Sequence, residues 1–148
     1  MSGNVLIKKI LAPTDFSEAS VYALGYAKAI AEKFDAKLYL YHCITDINAY
    51  VGYVPTFPSE EVIKGLREDA IKQMEHLRNR YNLKNVEDVI EIGDAAKRIV
   101  EFAKNNNIDL IVIGAQGKSG LERFMFGSVT EKVMRTSDIP VLEVKVPH

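Results

Sequence analysis

The 148-residue chain has one cysteine, Cys43, and no tryptophan. A lone cysteine excludes an internal disulfide and a zinc site built from several cysteines, and it is typical of a reducing compartment. No apolar run approaches the ~20 residues that a membrane-spanning helix needs. The apolar stretch Val5–Leu11 is interrupted by Lys8 and Lys9, which does not fit a signal peptide. We therefore expect a cytoplasmic protein.

The chain also lacks an excess of charge of either sign. Its 19 basic and 20 acidic residues give a formal net charge of −1, which provides no general affinity for nucleic acid or an anionic membrane. The three histidines, His42, His76 and His148, show no metal-ligand spacing, so we predict no metal held by the protein itself. The length and the apolar share of 47% suit one domain over residues 1–148.

Apolar, β-branched segments alternate along the chain with segments of helical periodicity. Helices are predicted after the capping residues Ser17, Ser59 and Asp94, and from Gly127. Phe34 in the first helix and Leu66 in the second are assigned to the apolar stripe that each helix is expected to bury against the sheet. The predicted strands are Val5–Ala12, Lys37–Ile44, Val86–Ile92, Leu110–Ile113 and Val141–Val146. This alternation predicts an α/β fold, a three-layer Rossmann-like open sheet of five parallel strands with helices on both faces.

Three further expectations concern particular segments. The third strand carries Glu87, Asp88 and Glu91, which suits a sheet edge. The fourth strand is the most hydrophobic, and we predict that it lies in the centre of the sheet. The long loop Asp46–Pro58 contains Tyr50, Tyr53 and Phe57, which could cover a ligand, contact a partner subunit or pack on the following helix.

A glycine-rich segment follows the fourth strand, with glycines at 114, 117 and 120, and a second glycine-serine pair stands at Gly127-Ser128. The Walker phosphate-binding motif would need glycine at 112, which is Val112, and the G-x-G-x-x-G dinucleotide spacing is absent. A glycine turn and a helix amino terminus still offer backbone N–H groups to an anion. The segment therefore predicts a phosphate site of another type.

A second polar turn, Pro13-Thr14-Asp15, follows the first strand. Ligands of open α/β sheets bind beyond the carboxyl ends of the strands, where the strand order reverses. We therefore predict that strands one and four are neighbours, in the order 3-2-1-4-5, and that the two turns form one site.

Simpler interpretations stay open for each of these residues. Gly114 and Gly120 could only let the chain turn, and Asp15 could only cap a helix. Lys118 and Arg123 could neutralise phosphate or be solvated. Cys43 fits a small core residue without redox chemistry.

The pattern G-x2-G-x9-G-[S/T], formed by Gly114, Gly117, Gly127 and Ser128, resembles that of the universal stress protein family. Pro13–Ser17 after strand one, Gly93-Asp94-Ala95 before helix three and Pro140-Val141-Leu142 opening strand five extend this resemblance over nearly the whole chain. Because every position of the glycine pattern is present, the chain resembles the ATP-binding branch of the family.

The resemblance implies a site for adenine nucleotide. It places Asp15 at the adenosine part, with Pro13 and Thr14 as its wall, and the backbone of Cys43 at the adenine. The family position of Cys43 is more often aliphatic. The glycine segment would surround ribose and phosphates, and the start of the last helix would bind phosphate oxygens. The implied nucleotide-binding residues are Pro13, Thr14, Asp15, Cys43, Gly114, Ala115, Gln116, Gly117, Lys118, Ser119, Gly120, Gly127, Ser128 and Val129.

The implied function is an ATP-binding stress-response or regulatory protein with weak or no hydrolysis, because no residue occupies a recognisable catalytic position. The ligand would be ATP or another adenine nucleotide, with any Mg²⁺ held by its phosphates. The resemblance also implies a homodimer through the last strand, Val141–Val146. Two alternatives stay open: an ATP-using enzyme acting at the α-phosphate or as a slow ATPase, and a dimeric interaction protein with a vestigial pocket.

Overall fold

Residues 3–45, 60–115 and 126–147 are described by a computed structural model of the protein. Within these ranges the strands are β1 (Lys9–Pro13), β2 (Lys37–Thr45), β3 (Val86–Gly93), β4 (Leu110–Ala115) and β5 (Val141–Lys145). The helices are α1 (Glu18–Phe34), α2 (Glu60–Arg80), α3 (Ala95–Asn105) and α4 (Phe126–Thr136). Strands and helices alternate along these ranges, as the sequence predicts.

The strands form one parallel sheet in the order β3-β2-β1-β4-β5. Leu11 of β1 is paired with Tyr39 of β2 on one side and with Ile111 of β4 on the other. The chain therefore moves outward in opposite directions from β1, and the strand order reverses between β1 and β4. The predicted order and the predicted adjacency of strands one and four are confirmed. The fourth strand is an interior strand, but the middle of the sheet is β1.

Alternate residues of each strand face opposite layers, so the sheet has two cores. One face carries Ile10, Leu40 and Val112 and is covered by α1 and α2 through residues such as Leu24 and Met74. On the other face lie Leu11, Tyr41 and Ile113, covered by α3 and α4 through residues such as Ile99 and Val133. The three-layer α/β prediction is confirmed.

Strand β1 begins later than the sequence predicts. Val5 and Leu6 are 76% and 67% exposed, and pairing with β2 starts at Lys9 opposite Lys37. The carboxylate Oδ2 of Asp109 accepts hydrogen bonds from the backbone N–H groups of Lys8 and Lys9, at 2.8 and 3.0 Å. An apolar segment becomes a strand only where a partner strand lies beside it, and the sequence of β1 does not show where its pairing with β2 begins.

Two residues of the predicted buried stripes are exposed. Phe34 is 50% exposed at the last position of α1, and Leu66 is 42% exposed in α2. Helix α2 has 21 residues, and only part of its length is buried. Its buried residues, Ala70, Met74 and Leu77, lie in the second half, and Leu66 precedes them.

The structure describes neither Asp46–Pro58 nor Gln116–Gly120, so the predictions on these residues lie outside it. Ser59, the predicted cap of the second helix, also lies outside. No helix in the described ranges combines the length and the apolar character needed to cross a membrane.

Candidate functional site

The turn after β1 is held by buried hydroxyl groups. Thr14 is buried, and its backbone N–H continues the sheet by donating to the Tyr41 carbonyl, 2.7 Å away. Its Oγ1 lies 2.8 Å from Ser20 Oγ and accepts from the N–H of Phe16 at 2.9 Å. Ser20 in turn donates to the carbonyl of Ser17 at 3.0 Å. The first turn of α1 is thus tied to the end of β1.

The sequence prediction of Ser17 as a helix cap is confirmed, since its side chain accepts from the N–H of Ser20. Asp15 Oδ1 accepts from the N–H of Ser17 at 3.0 Å, the short turn that aspartate commonly makes with its own backbone. One oxygen of the half-buried Asp15 carboxylate is therefore used to fix the turn.

Strand β2 extends beyond β1 at this end of the sheet. Pro13, the last residue of β1, is opposite Tyr41, whereas β2 continues to Thr45. The N–H of Lys37 and the carbonyl of Tyr41 bond toward β1, while the N–H of Leu38 bonds toward β3. Because alternate residues point the same way, the backbone of Cys43 faces the space beyond the end of β1.

The Cys43 side chain points away from that space. Its Sγ donates to the Gly93 carbonyl, 3.5 Å away. Burial, followed by the charge of Glu91, raises the pKa of this thiol to about 11. The thiol is therefore protonated near neutral pH and suits packing rather than nucleophilic chemistry. Any contact of Cys43 with a ligand would involve its backbone, as the family resemblance implies.

A buried phenol lies next to Cys43 on the same face of the sheet. Tyr41 donates through its hydroxyl to Glu91 Oε1 at 2.6 Å, and its ring packs against Phe102 of α3. Burial and this hydrogen bond raise the pKa of Tyr41. The pair joins β2 to the edge strand β3, which is a structural role.

Gly114, in β4, lies against the backbone of α1. An added Cβ would lie 2.5 Å from the Ala19 carbonyl oxygen of α1, so only glycine allows this approach. The hydroxyl of Thr130 in α4 donates to the Gly114 carbonyl at 2.8 Å. Gly114 therefore allows the first turn of α1 to approach the end of β4, which Thr130 also ties to α4. The glycine at this position of the pattern thus has a packing explanation.

Helix α4 starts at Phe126, one residue before the predicted start. The N–H groups of its first four residues, which include Gly127, Ser128 and Val129, have no partner within the helix. Its first turn contains no acidic residue that would compete with an anion. Val129 packs in the core, so only its backbone could contact a ligand.

A groove of about 720 Å³ opens beside this helix start. Ala115, at the end of β4, lines it together with Gly127, Ser128 and Thr130. The rest of its lining consists of Glu131, Met134 and Arg135 of α4 and Glu143 of β5, so carboxylates lie away from the first turn of α4. Backbone N–H groups, hydroxyls and the amino end of a helix suit an anionic group such as phosphate.

The structure thus places the described site residues along the carboxyl ends of three adjacent strands. Pro13, Thr14 and Asp15 follow β1, Cys43 lies in β2, and Gly114 and Ala115 end β4. Gly127, Ser128 and Val129 begin α4, which the Thr130 hydroxyl ties to Gly114. Gln116, Gly117, Lys118, Ser119 and Gly120 lie outside the described residues.

Three residues at this end are missing from the predicted site. Ser20 and Thr130 are buried hydroxyls near the starts of α1 and α4. The signal in the sequence was their position close to the start of two predicted helices. His42 is the third, and nothing in its local sequence indicates its contacts. No three His, Cys, Asp or Glu side chains of the described ranges are grouped so that they could hold a metal ion.

Comparison with known proteins bears directly on this arrangement. A model of the universal stress protein family matches residues 6–145. The chain belongs to the universal stress protein family. Universal stress protein MJ0531 of Methanocaldococcus jannaschii is 39% identical, and the match covers 99% of this chain and 86% of that protein. MJ0577 of the same organism is 32% identical over 96% and 97% of the two chains.

Solved structures of the family share this fold. The structure of MJ0577 has a TM-score of 0.80 and 34% identity, and the match covers 97% of this chain and 99% of that one. A universal stress protein in complex with cAMP has a TM-score of 0.65 at 22% identity, covering 95% and 98%. The Archaeoglobus fulgidus protein in complex with dAMP has 0.64 at 20%, covering 96% and 100%. At these last two identities the likeness concerns the fold alone.

Proposed function

We propose that this universal stress protein binds ATP or another adenine nucleotide at the carboxyl ends of β1, β2 and β4, and acts as a cytoplasmic stress-response regulator. The observation that carries the proposal is the convergence at Gly114. The first turn of α1 and Thr130 of α4 both contact this residue. The turn that carries Asp15 and the start of α4 therefore lie near the adjacent ends of β1 and β4, where the strand order reverses and where ligands of open α/β sheets bind.

The chemistry along this space suits the two ends of a nucleotide. Asp15 and the backbone of Cys43 provide hydrogen-bonding groups for an adenosine moiety. The first turn of α4 provides N–H groups and a positive dipole end for phosphates. The glycine pattern that continues through Gly117 adds support from the sequence. Any Mg²⁺ would be coordinated mainly by the nucleotide's phosphates.

Binding without efficient hydrolysis fits the acidic residue of the turn. A general base for hydrolysis must lie beside the water that attacks the γ-phosphate, whereas Asp15 is assigned to the adenosine end of the nucleotide. The site that we propose is therefore one of recognition, and the nucleotide acts as a signal.

Calorimetric titration of ATP into the protein and into Gly117→Val tests the proposal. We expect the valine to weaken ATP binding at least tenfold, because a branched side chain blocks the close approach of backbone to phosphate. Gly65→Val is the matched control. Gly65 lies in α2, where an added Cβ would meet no atom within 4 Å, so ATP affinity is expected to stay unchanged.

Product analysis after incubation with ATP and Mg²⁺ distinguishes the alternatives. We expect ATP to remain largely intact. Accumulating AMP would instead indicate an enzyme acting at the α-phosphate, and many turnovers to ADP would indicate an ATPase. If the parent protein binds no adenine nucleotide, the pocket is vestigial and the proposal is wrong.

We also propose a homodimer through β5. This strand pairs with β4 along one side and is the last strand of the described sheet. Edge strands of this kind readily pair with another chain. Leu142, on β5, is 36% exposed and would be covered in such a dimer.

A further inference from the structure

His42 lies behind the turn that carries Asp15. It follows Tyr41 in β2, and its Nδ1 is 2.8 Å from the Thr14 carbonyl oxygen. A carbonyl oxygen can only accept, so the proton of this bond belongs to Nδ1, and Nε2 is the nitrogen that can still gain a proton. The imidazole thus joins the end of β2 to the turn after β1.

Phe16, in the middle of the same turn, has an unusual backbone conformation. Its φ is +67°, a left-handed value that is disfavoured for a bulky side chain and persists only where the surroundings enforce it. The Phe16 ring packs on the His42 ring, with 4.5 Å between centroids. The Phe16 N–H donates to Thr14 Oγ1. The imidazole therefore contacts both the residue before Asp15 and the residue after it.

We propose that His42 is a positioning residue for the nucleotide site: through its bond to Thr14 and its packing on Phe16, it holds the strained turn that directs Asp15 at the adenosine part of the ligand. The inference rests on the proposed nucleotide-binding function. His42 itself makes no contact with the ligand. Its effect is transmitted through a turn that is fixed on both sides of Asp15.

Two substitutions separate the two contacts. His42→Phe keeps a ring against Phe16 but removes the donor to Thr14. His42→Asn keeps an amide N–H on the atom that corresponds to Nδ1, without the aromatic ring. We expect His42→Phe to weaken both ATP and adenosine about five- to tenfold, the factor for losing one hydrogen bond. His42→Asn should bind ATP and adenosine more tightly than His42→Phe and recover at least half of the lost binding free energy.

The choice of probes tests where the effect acts. Because Asp15 is assigned to adenosine, His42→Phe should weaken ATP and adenosine by the same factor. Ser128→Ala, at the phosphate end, should weaken ATP but leave adenosine unchanged. If His42→Phe weakens ATP alone, or neither probe, the positioning role is wrong.

The pH dependence of adenosine binding provides a second readout. The carboxylates facing the ring are Asp15 from the turn and Asp69 from α2, and both favour the charged imidazole. Burial acts against them more strongly and lowers the pKa of His42 from 6.5. Below this lowered pKa the ring becomes an imidazolium, and its positive charge would draw the Asp15 carboxylate away from the ligand. Adenosine affinity of the parent should fall on acidification more steeply than that of His42→Asn, and identical profiles would contradict the proposal.

Amide hydrogen exchange in the ligand-free protein separates this inference from the proposed function. The N–H groups of Phe16 and Ser17 bond to Thr14 and Asp15 within the turn. We expect their exchange to accelerate at least fivefold in His42→Phe and to slow again in His42→Asn, in line with the loss of one hydrogen bond. If the parent binds neither adenosine nor ATP, the proposed function fails, and unchanged exchange would overturn the positioning role.

Discussion

Gly114 shows how a single residue combines packing with a position in the site. Its backbone meets the start of α1 on one side and Thr130 of α4 on the other. The glycine pattern of the sequence is typical of phosphate binding. The close approach of α1 nevertheless requires glycine at position 114 whether or not a ligand is bound. The packing role and the binding role can be measured separately.

We predict that Gly114→Ala lowers the free energy of unfolding by about 1–3 kcal/mol, because the new methyl group would overlap the Ala19 backbone. Gly65→Ala, at an open position of α2, should instead raise it by about 0.5–1 kcal/mol through helix propensity. Denaturant unfolding at equilibrium measures both. If Gly114→Ala unfolds with the same free energy as the parent, α1 can move away from β4 at no cost in stability.

At the scale of helices and strands, β1 is fixed at its start by a side chain from the loop before β4. Asp109 accepts from the N–H groups of Lys8 and Lys9, so the strand begins where these bonds orient the chain. The apolar residues Val5 and Leu6, which resemble a strand in the sequence, precede this point and are exposed.

Asp109→Ala should therefore lower the free energy of unfolding by about 1–3 kcal/mol, since it leaves backbone donors without their acceptor. Asp138, an exposed carboxylate in the turn before β5, is the control, and Asp138→Ala should change stability by less than about 0.5 kcal/mol. Equal effects of the two substitutions would mean that Asp109 does not hold the start of β1.

Much of the fold could be predicted from sequence because local signals and chain order agree. Ser17 caps α1 as predicted, and the predicted adjacency of β1 and β4 follows from two polar turns that need one site. Asp94 also precedes its helix, but its side chain makes no capping hydrogen bond. Phe34 and Leu66 were misassigned because helical periodicity does not reveal which part of a helix is covered by its neighbours.

The site was predictable where it depends on glycines and turn residues, and not where it depends on contacts between distant segments. The Thr14–His42 and Gly114–Thr130 hydrogen bonds join residues 28 and 16 positions apart. Neither pair forms a sequence motif. Both become apparent only when the strand order brings the segments together.

At the scale of the whole molecule, the two layers of helices leave β5 at one border of the described sheet. Pairing of this strand with its copy would continue the sheet across two subunits and cover Leu142. The proposed homodimer therefore predicts that the β5 edge of the sheet is the contact between the two subunits.

We expect the protein to show twice its monomer mass at micromolar concentration in light scattering coupled to size exclusion. Leu142→Arg should shift it toward the monomer, because a charged side chain would be buried in the proposed interface. Leu66→Arg, at an exposed position of α2, should leave the mass unchanged. A monomeric parent would contradict the dimer.

The most direct test of the central claim is the map of backbone amide NMR shifts on addition of ATP. We predict that the largest changes among the described residues cluster at Thr14–Asp15, Cys43, Ala115 and Gly127–Val129. A crevice of about 370 Å³ at the opposite end of the sheet, lined by Lys28, Asn82 and Lys84 among others, serves as an internal control. Changes concentrated at that crevice, or an unchanged spectrum at saturating ATP, would contradict a nucleotide site at the ends of β1 and β4.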